Sequence, residues 1–132
     1  MDKNQQELMY KLSMFEQQIQ ILSQQLQAVE ESIVEMNSLN FGLDELKGAK
    51  GKEILAPMGR GIFVKTKLSE EDLIVDIGGK NFVKKTISDT KKIIEEQNKK
   101  LEEVKSELND KIEEIHEEAT KMILEMQKNS KS

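Results

Sequence analysis

The sequence predicts an α+β protein, mostly α, in which two short β-hairpins join the helices of a long antiparallel coiled-coil hairpin. Residues 1–44 and 86–132 are rich in Gln, Glu, Lys and Leu and contain one Gly and no Pro, as long helices do. Their apolar residues recur at alternating steps of three and four, the period of a coiled coil. Six of the seven glycines and the single Pro lie in residues 45–85. We therefore expect one domain over residues 1–132, built from these three segments.

The composition alone excludes several kinds of site and function. The chain has 132 residues, of which 34% are charged and 4% aromatic, and it has no Cys. Disulfides and thiolate metal sites are therefore excluded. The net charge of −5 argues against non-specific binding to nucleic acid or to an anionic membrane. No apolar run approaches the roughly 18 residues of a membrane span, so we expect a cytoplasmic protein.

The first helix carries an apolar seam of nine residues whose steps alternate between four and three without interruption. A seam over about four heptads is typical of a coiled coil. Its members are Leu8, Leu12, Phe15, Ile19, Leu22, Leu26, Val29, Ile33 and Met36.

The last segment repeats the pattern, with one irregularity. Two successive four-residue steps, at Val104, Leu108 and Ile112, predict a stutter that locally unwinds the supercoil. The seam is predicted to contain Ile87, Thr90, Ile94, Gln97, Leu101, Val104, Leu108, Ile112, Ile115, Ala119, Met122 and Met126. Folding this helix back on the first predicts antiparallel layers whose residue numbers add to about 134, from Leu8 with Met126 to Ile33 with Leu101.

The middle segment predicts four strands in two hairpins. Glu53 to Pro57 precedes a turn at Met58-Gly59, and Arg60 to Leu68 alternates in polarity as a strand does. Leu73 to Ile77 and Lys80 to Lys85 flank a turn at Gly78-Gly79. Four such strands are expected to form a small sheet with exposed edges, which favours pairing with other subunits.

Residues for catalysis are nearly absent. His116 is the single histidine and there is no cysteine, so one chain cannot assemble a Ser/His/Asp, Cys/His or His-rich metal site. Neither Gly51-Lys52 nor Gly79-Lys80 has the spacing of a phosphate loop, and Gly59-Arg60-Gly61 lacks the third Gly of a dinucleotide site. We expect no enzyme activity, no cofactor and no metal; turnover of a small molecule would contradict this.

An apolar surplus lies where the hairpin brings both termini together. Met9, Tyr10, Met14, Ile123 and Leu124 lie off the seam. They are either frayed or capped helix ends, or an exposed patch that accepts partners, for which flexible Met side chains are suited. The predicted patch comprises Leu8, Met9, Tyr10, Met122, Ile123, Leu124 and Met126.

The layout and two strings in the middle segment resemble the alpha class of the prefoldin family. The strings are Glu53-Ile54-Leu55-Ala56-Pro57-Met58-Gly59-Arg60-Gly61-Ile62-Phe63-Val64-Lys65 and Ile74-Val75-Asp76-Ile77-Gly78-Gly79. The resemblance covers essentially the whole chain, and the two hairpins point to the alpha rather than the beta class.

The resemblance implies a hexamer of two alpha and four beta subunits, whose hairpins form paired β-barrels bearing six coiled coils. It also implies an ATP-independent holdase that grips unfolded polypeptides at the coiled-coil ends and passes them to a group II chaperonin. The patch above would then bind clients. The residues that would mediate subunit assembly are Ile54, Leu55, Ile62, Val64, Leu73, Val75 and Ile77.

A second interpretation stays open at this point. The chain could be a coiled-coil scaffold, or a prefoldin-like protein that forms filaments without transferring clients.

Overall fold

The computed structural model describes residues 2–130 and the side chains of residues 2–128. The elements, in order, are α1 (Lys3–Leu46), β1 (Glu53–Gly59), β2 (Ile62–Lys67), β3 (Leu73–Asp76), β4 (Phe82–Lys85) and α2 (Ile87–Ser130). Two helices and two small antiparallel sheets confirm the predicted fold class. Met1, Lys131 and Ser132, which the predicted segments include, lie outside the described residues.

The chain forms two compact units. One, here the terminal unit, contains residues 1–33 and 100–132, and the other, the central unit, contains residues 34–99. The terminal unit holds the first part of α1 and the last part of α2. The central unit holds both β-hairpins and the helical segments that flank them.

Both helices begin at a side-chain cap. The Asp2 carboxylate accepts a hydrogen bond from the Gln5 amide at 2.8 Å, and the Thr86 hydroxyl accepts one from the Asp89 amide at 3.0 Å. Each cap satisfies an amide that has no partner within its own helix. After α1, Gly48 takes a positive φ of 72°, the conformation that commonly ends a helix. The two caps fix where α1 and α2 begin, within two residues of the predicted starts at residues 1 and 86.

The burial pattern of α1 confirms its predicted seam. Ile33 is buried and the other eight seam residues are half-buried, while the positions between them are almost all exposed. The stripe continues into the central unit through half-buried Asn40 and buried Leu43, on the same alternation of three and four. One polar residue thus occupies a seam position that apolar spacing alone does not reveal.

The seam of α2 differs from the prediction. Thr90 is half-buried as predicted, but Gln97 and Val104 are exposed. Lys91, Asn98 and Lys105 are half-buried. With these three residues the seam runs in unbroken steps of four and three, so the predicted stutter is wrong. The cause is chemical: a lysine can lie along a seam by its aliphatic stem, and an asparagine can be hydrogen-bonded there. The observed seam is Ile87, Lys91, Ile94, Asn98, Leu101, Lys105, Leu108, Ile112, Ile115, Ala119, Met122 and Met126.

The first hairpin pairs β1 with β2, from Glu53 opposite Lys67 to Gly59 opposite Ile62, with an irregularity between Pro57 and Gly59. Its two-residue turn is Arg60-Gly61, both at positive φ (53° and 80°). This is the backbone of a type I′ turn, whose twist matches that of the strands. The prediction placed the turn two residues too early, because the bulge lengthens β1.

The second hairpin pairs β3 with β4, from Leu73 opposite Lys85 to Asp76 opposite Phe82. The Asp76 carboxylate accepts a hydrogen bond from the Gly78 amide at 2.8 Å and stabilises the turn. The two hairpins form separate two-stranded sheets in the described part of the chain, not the single four-stranded sheet expected. Every strand is therefore an edge strand.

The best-buried residues of the central unit lie where the helices meet the second hairpin. Leu43, Ile87 and Ile94 are 5–7% exposed, and Met36, Leu46 and Leu73 pack around them. Leu73 of β3 thus fastens this hairpin to the helices. A third element at this point removes more apolar surface from water than two helices alone.

Candidate functional site

The first hairpin exposes apolar side chains on both faces. Ile54, Ala56, Val64 and Thr66 share one face, since residues opposite each other in the register project to the same side. Ile62 is 63% exposed and Val64 44% exposed. Leu55, Phe63 and Lys65 lie on the second face, where Leu55 is 60% and Phe63 56% exposed.

The second hairpin has one covered and one open face. Leu73, Val75, Val83 and Lys85 are half-buried, whereas Ile74 and Phe82 on the opposite face are 70% and 61% exposed. Ile77, just after β3, is also exposed. A two-stranded hairpin is at best marginally stable alone in water, so apolar surface of this extent is a candidate subunit interface.

Among the predicted assembly residues, the structure separates the exposed from the covered. Leu55, Ile62, Val64 and Ile77 are exposed, and Ile54 and Val75 are half-buried. Leu73 already packs within the chain. Their role in assembly stays a prediction.

Two polar contacts join the helices within the central unit. The Asn98 side-chain amide donates to the Asn37 side-chain oxygen at 2.7 Å, and the Lys91 ammonium donates to the Asp44 carboxylate. In both pairs the residue numbers add to 135, close to the predicted register. The hydrogen bond from Lys91 holds the pKa of Asp44 below its ordinary value of 3.8, and the charges of Lys91 and Lys47 act in the same direction.

The polar seam also carries unsatisfied atoms. The side-chain oxygens of Asn40 and Asn98 are buried and have no hydrogen-bond partner in the described part of the chain. A buried polar atom without a partner lowers stability. Asparagine at a seam position is known to fix the register of a coiled coil at such a cost.

In the terminal unit the helix ends that carry the two halves of the predicted patch lie side by side. Leu8 of α1 and Glu125 of α2 border the same surface depression, which places the first turns of α1 beside the last turns of α2. Leu8, Met122 and Met126 are half-buried along the seam. Met9, Tyr10, Ile123 and Leu124 are 46%, 68%, 46% and 60% exposed.

Tyr10 is the most exposed residue of the patch. It lines a shallow depression with Lys3, Gln6, Glu7 and Lys11. This surface offers an aromatic ring and charges of both signs. In residues 2–130 no group of three His, Cys, Asp or Glu side chains is placed to hold a metal ion.

Membrane insertion of a helix finds no support in the described residues. Neither α1 nor α2 has a stretch apolar enough to cross a membrane.

The sequence interpretation missed several exposed apolar residues. On α1, Ile21, Val34, Leu39 and Phe41 are 51–68% exposed and lie off the seam. On the hairpins, Met58, Phe63, Ile74 and Phe82 are 56–70% exposed. The alternation along the strands contains a signal for Ile74 and Phe82, which lie on the face opposite the predicted assembly residues Leu73 and Val75, and for Phe63, which shares a face with the predicted residue Leu55.

The fold defines the class of protein: two long helices joined by two separate β-hairpins. Comparison with known proteins narrows the class. The family model of the prefoldin subunit matches residues 15–132.

Curated relatives agree with the family model. The chain is 35% identical to prefoldin subunit alpha of Methanobrevibacter smithii over 98 residues, 74% of this chain and 67% of the relative. It is 27% identical to prefoldin subunit alpha of Methanosphaera stadtmanae over 90 residues, 68% of this chain and 65% of the relative. The match thus spans about two thirds of the relatives' own length.

A solved structure shares the fold. The cryo-EM structure of filamentous PFD from Methanocaldococcus jannaschii superposes with a TM-score of 0.76 at 23% identity, over 88% of this chain and 98% of that one. The chain belongs to the prefoldin family, whose subunits are components of chaperones. The predicted resemblance to the alpha class is confirmed.

Proposed function

We propose that this chain is the alpha-class subunit of an ATP-independent holdase. Its hairpins join beta-class subunits in a hexamer of two alpha and four beta chains, and its helix ends bind unfolded polypeptides for delivery to a group II chaperonin. The observation that carries the proposal is the presence of two separate exposed apolar regions on a chain of a chaperone family.

The hairpins support the assembly half of the proposal. Eight large apolar residues within residues 53–82 are exposed, and seven of them lie on strands that are all edges. Apolar surface and open strand edges are both stabilised by adding further strands. Partner subunits are the natural source of such strands.

The helix ends support the client-binding half. A holdase needs no reactive group. It needs weak apolar contacts that are repeated on several coiled coils of one particle, because linking weak contacts raises the overall affinity. Met9, Tyr10, Ile123 and Leu124 supply exposed apolar surface, and Met side chains adapt to varied partners. Acidic residues along both helices keep such a coiled coil hydrated.

The test measures suppression of aggregation. The chain, assembled with a beta-class subunit, is mixed with insulin that is precipitating after reduction by dithiothreitol; the chain has no Cys for the reductant to affect. Light scattering should fall with the wild-type assembly. It should fall several-fold less when Gln replaces the four exposed end residues, namely Met9, Tyr10, Ile123 and Leu124.

A matched variant controls for loss of apolar surface in general. Gln replaces four residues elsewhere on α1 that are at least half exposed, namely Ile21, Val34, Leu39 and Phe41. This variant should suppress aggregation as the wild type does. Equal loss in both variants would remove the helix ends as the client site, and no suppression by the wild type would remove the holdase function.

A second candidate function has one observation in its favour. The solved structure that shares this fold is described as filamentous, so the hairpins of this chain could build a filament that acts as a scaffold. Mass measurement by light scattering separates the two assemblies: a fixed mass independent of concentration indicates a closed hexamer, whereas a mass that grows with concentration indicates a filament.

A further inference from the structure

The methionines of the chain are concentrated at the helix ends that carry the predicted patch. Five of the seven lie within residues 1–14 and 122–132, and residues 15–33 and 100–121 of the same unit contain none. Leucine and isoleucine fill most of the seam between the ends. Since leucine and methionine exchange with little loss of packing, helix packing alone does not account for methionine at the ends.

The methionines differ in their access to solvent. In the terminal unit Met9 is 46% and Met14 39% exposed, whereas Met122 and Met126 are half-buried along the seam. In the central unit Met36 packs against the buried core cluster. An oxidant dissolved in water reaches an exposed side chain more readily than a packed one. Within the terminal unit Met9 and Met14 are therefore the thioethers most open to reaction.

The sulfur chemistry of this chain is that of methionine alone, because the chain has no cysteine. A thioether sulfur attacks one oxygen of hydrogen peroxide. The O–O bond breaks, an S–O bond forms and water leaves, so that sulfur is oxidised by two electrons and the peroxide is reduced by two. The product, methionine sulfoxide, is polar, and methionine sulfoxide reductases return it to the thioether with electrons from a thiol.

We propose that Met9 and Met14 are sites of reversible oxidation by peroxide, and that their conversion to sulfoxides lowers the affinity of the helix ends for unfolded polypeptides. The inference rests on the client-binding role proposed above and adds a means of regulating it. Client binding by apolar contact depends on keeping apolar surface at the ends, and oxidation makes two flexible apolar side chains polar. Because several coiled coils of one particle hold one client, a small loss at each end is multiplied in the overall affinity.

Peptide mass spectrometry locates the oxidation. The particle assembled with a beta-class subunit is treated with hydrogen peroxide, which catalase then removes, and fragment spectra assign each added oxygen to a residue. Met9 and Met14 should be oxidised first and Met36 last. Oxidation of Met36 as early as Met9, or resistance of both Met9 and Met14, would overturn the inference.

Aggregation of citrate synthase measures the effect on client binding. The enzyme is unfolded in guanidinium chloride and diluted into buffer without a thiol, so that no reductant is present. The oxidised wild-type particle should suppress light scattering several-fold less than the same particle before oxidation. Treatment of the oxidised particle with methionine sulfoxide reductases should restore the suppression.

Two double variants show which methionines are responsible, each compared with itself before and after peroxide. Met9→Leu with Met14→Leu should lose little suppression on oxidation, because leucine has no sulfur to oxidise. Met36→Leu with Met58→Leu is the control and should lose as much as the wild type, although Met58 is 69% exposed. The beta-class subunit is the same in every particle, so its own methionines do not explain a difference between the variants.

The outcomes separate this inference from the proposed function. Unchanged suppression by a particle whose Met9 and Met14 are oxidised would overturn the inference and leave the holdase function intact. Equal sensitivity of the Met9→Leu, Met14→Leu variant would overturn it too, and so would dissociation of the oxidised particle in native mass spectrometry, which would place the damage in the assembly region. Failure of the unoxidised wild type to suppress aggregation would instead remove the proposed function.

Discussion

The two units bury their helices by different means. In the terminal unit the seam is apolar at every position but Lys105, yet its residues are mostly half-buried. In the central unit the seam includes Asn40, Lys91 and Asn98, yet this unit contains the most deeply buried side chains. A pair of helices alone leaves its seam partly wet, whereas the added hairpin covers Leu43, Ile87 and Ile94.

The difference teaches where stability and register come from. Apolar layers tolerate sliding by a heptad, since one aliphatic layer resembles the next. The pairs Asn37–Asn98 and Asp44–Lys91 are satisfied in one register only. We infer that the central unit sets the alignment of the helices beside the hairpins, and that the terminal unit supplies a repetitive apolar seam and exposed ends.

The largest expected effect comes from truncating the central core. Ile94→Ala should lower the free energy of unfolding by about 2–5 kcal/mol, because a buried isoleucine leaves a cavity. Ile19→Ala, at a half-buried seam position of the terminal unit, should lower it by only about 1–2 kcal/mol. Urea unfolding of the assembled protein at one fixed concentration compares the two. Equal losses in the free energy of unfolding would contradict the difference between the two units.

The seam asparagines should have an effect of opposite sign. Asn40→Leu combined with Asn98→Leu removes two buried oxygens that lack partners, and it should raise the free energy of unfolding by about 1–3 kcal/mol. The exposed Asn109→Leu is the control and should change it by less than about 0.5 kcal/mol. The stabilised variant should also lose its single register, which distance measurements between spin labels on α1 and α2 would detect as a second population. Destabilisation would show that these amides contribute more than alignment.

The smallest expected effect concerns pH. Because the folded-state pKa of Asp44 is lowered, its contribution to stability is present above the unfolded-state pKa, near the ordinary 3.8, and is lost as pH falls through the folded value. Asp44→Asn should therefore destabilise the protein at pH 7 and have little effect at pH 2. Glu70→Gln, which removes the exposed ion pair with Lys84, should change stability less at either pH. Thermal unfolding at both pH values gives the comparison, and an Asp44→Asn effect that grows in acid would contradict it.

How well the sequence predicts the helix seams depends on whether a seam position holds an apolar or a polar residue. The seam of α1 is predictable up to Met36, because every position is apolar and the spacing is regular. The seam of α2 is not, because Lys91, Asn98 and Lys105 take their places through a lysine stem or a polar contact rather than by hydrophobicity. The sequence predicts the first turn at Met58-Gly59, whereas it lies at Arg60-Gly61. The bulge after Pro57 adds one residue to β1 and so shifts the register.

The candidate surfaces are also predictable from the sequence only in part. Exposure at Met9, Tyr10, Ile123 and Leu124 follows from their places off the seam, which spacing reveals. The inward contact of Leu73 does not follow from spacing, because alternation along a strand defines two faces without saying which one the helices cover.

The most direct test of the separation between an assembly region and a client-binding region uses two aromatic residues of α1. Tyr10 in the terminal unit and Phe41 in the central unit are both 68% exposed. The photoreactive residue benzoylphenylalanine is placed at position 10 or at position 41, and the assembled particle is irradiated with reduced, unfolding insulin. Crosslinks to insulin are expected from position 10 and not from position 41. Equal crosslinking from both positions, or crosslinking from position 41 alone, would contradict the account.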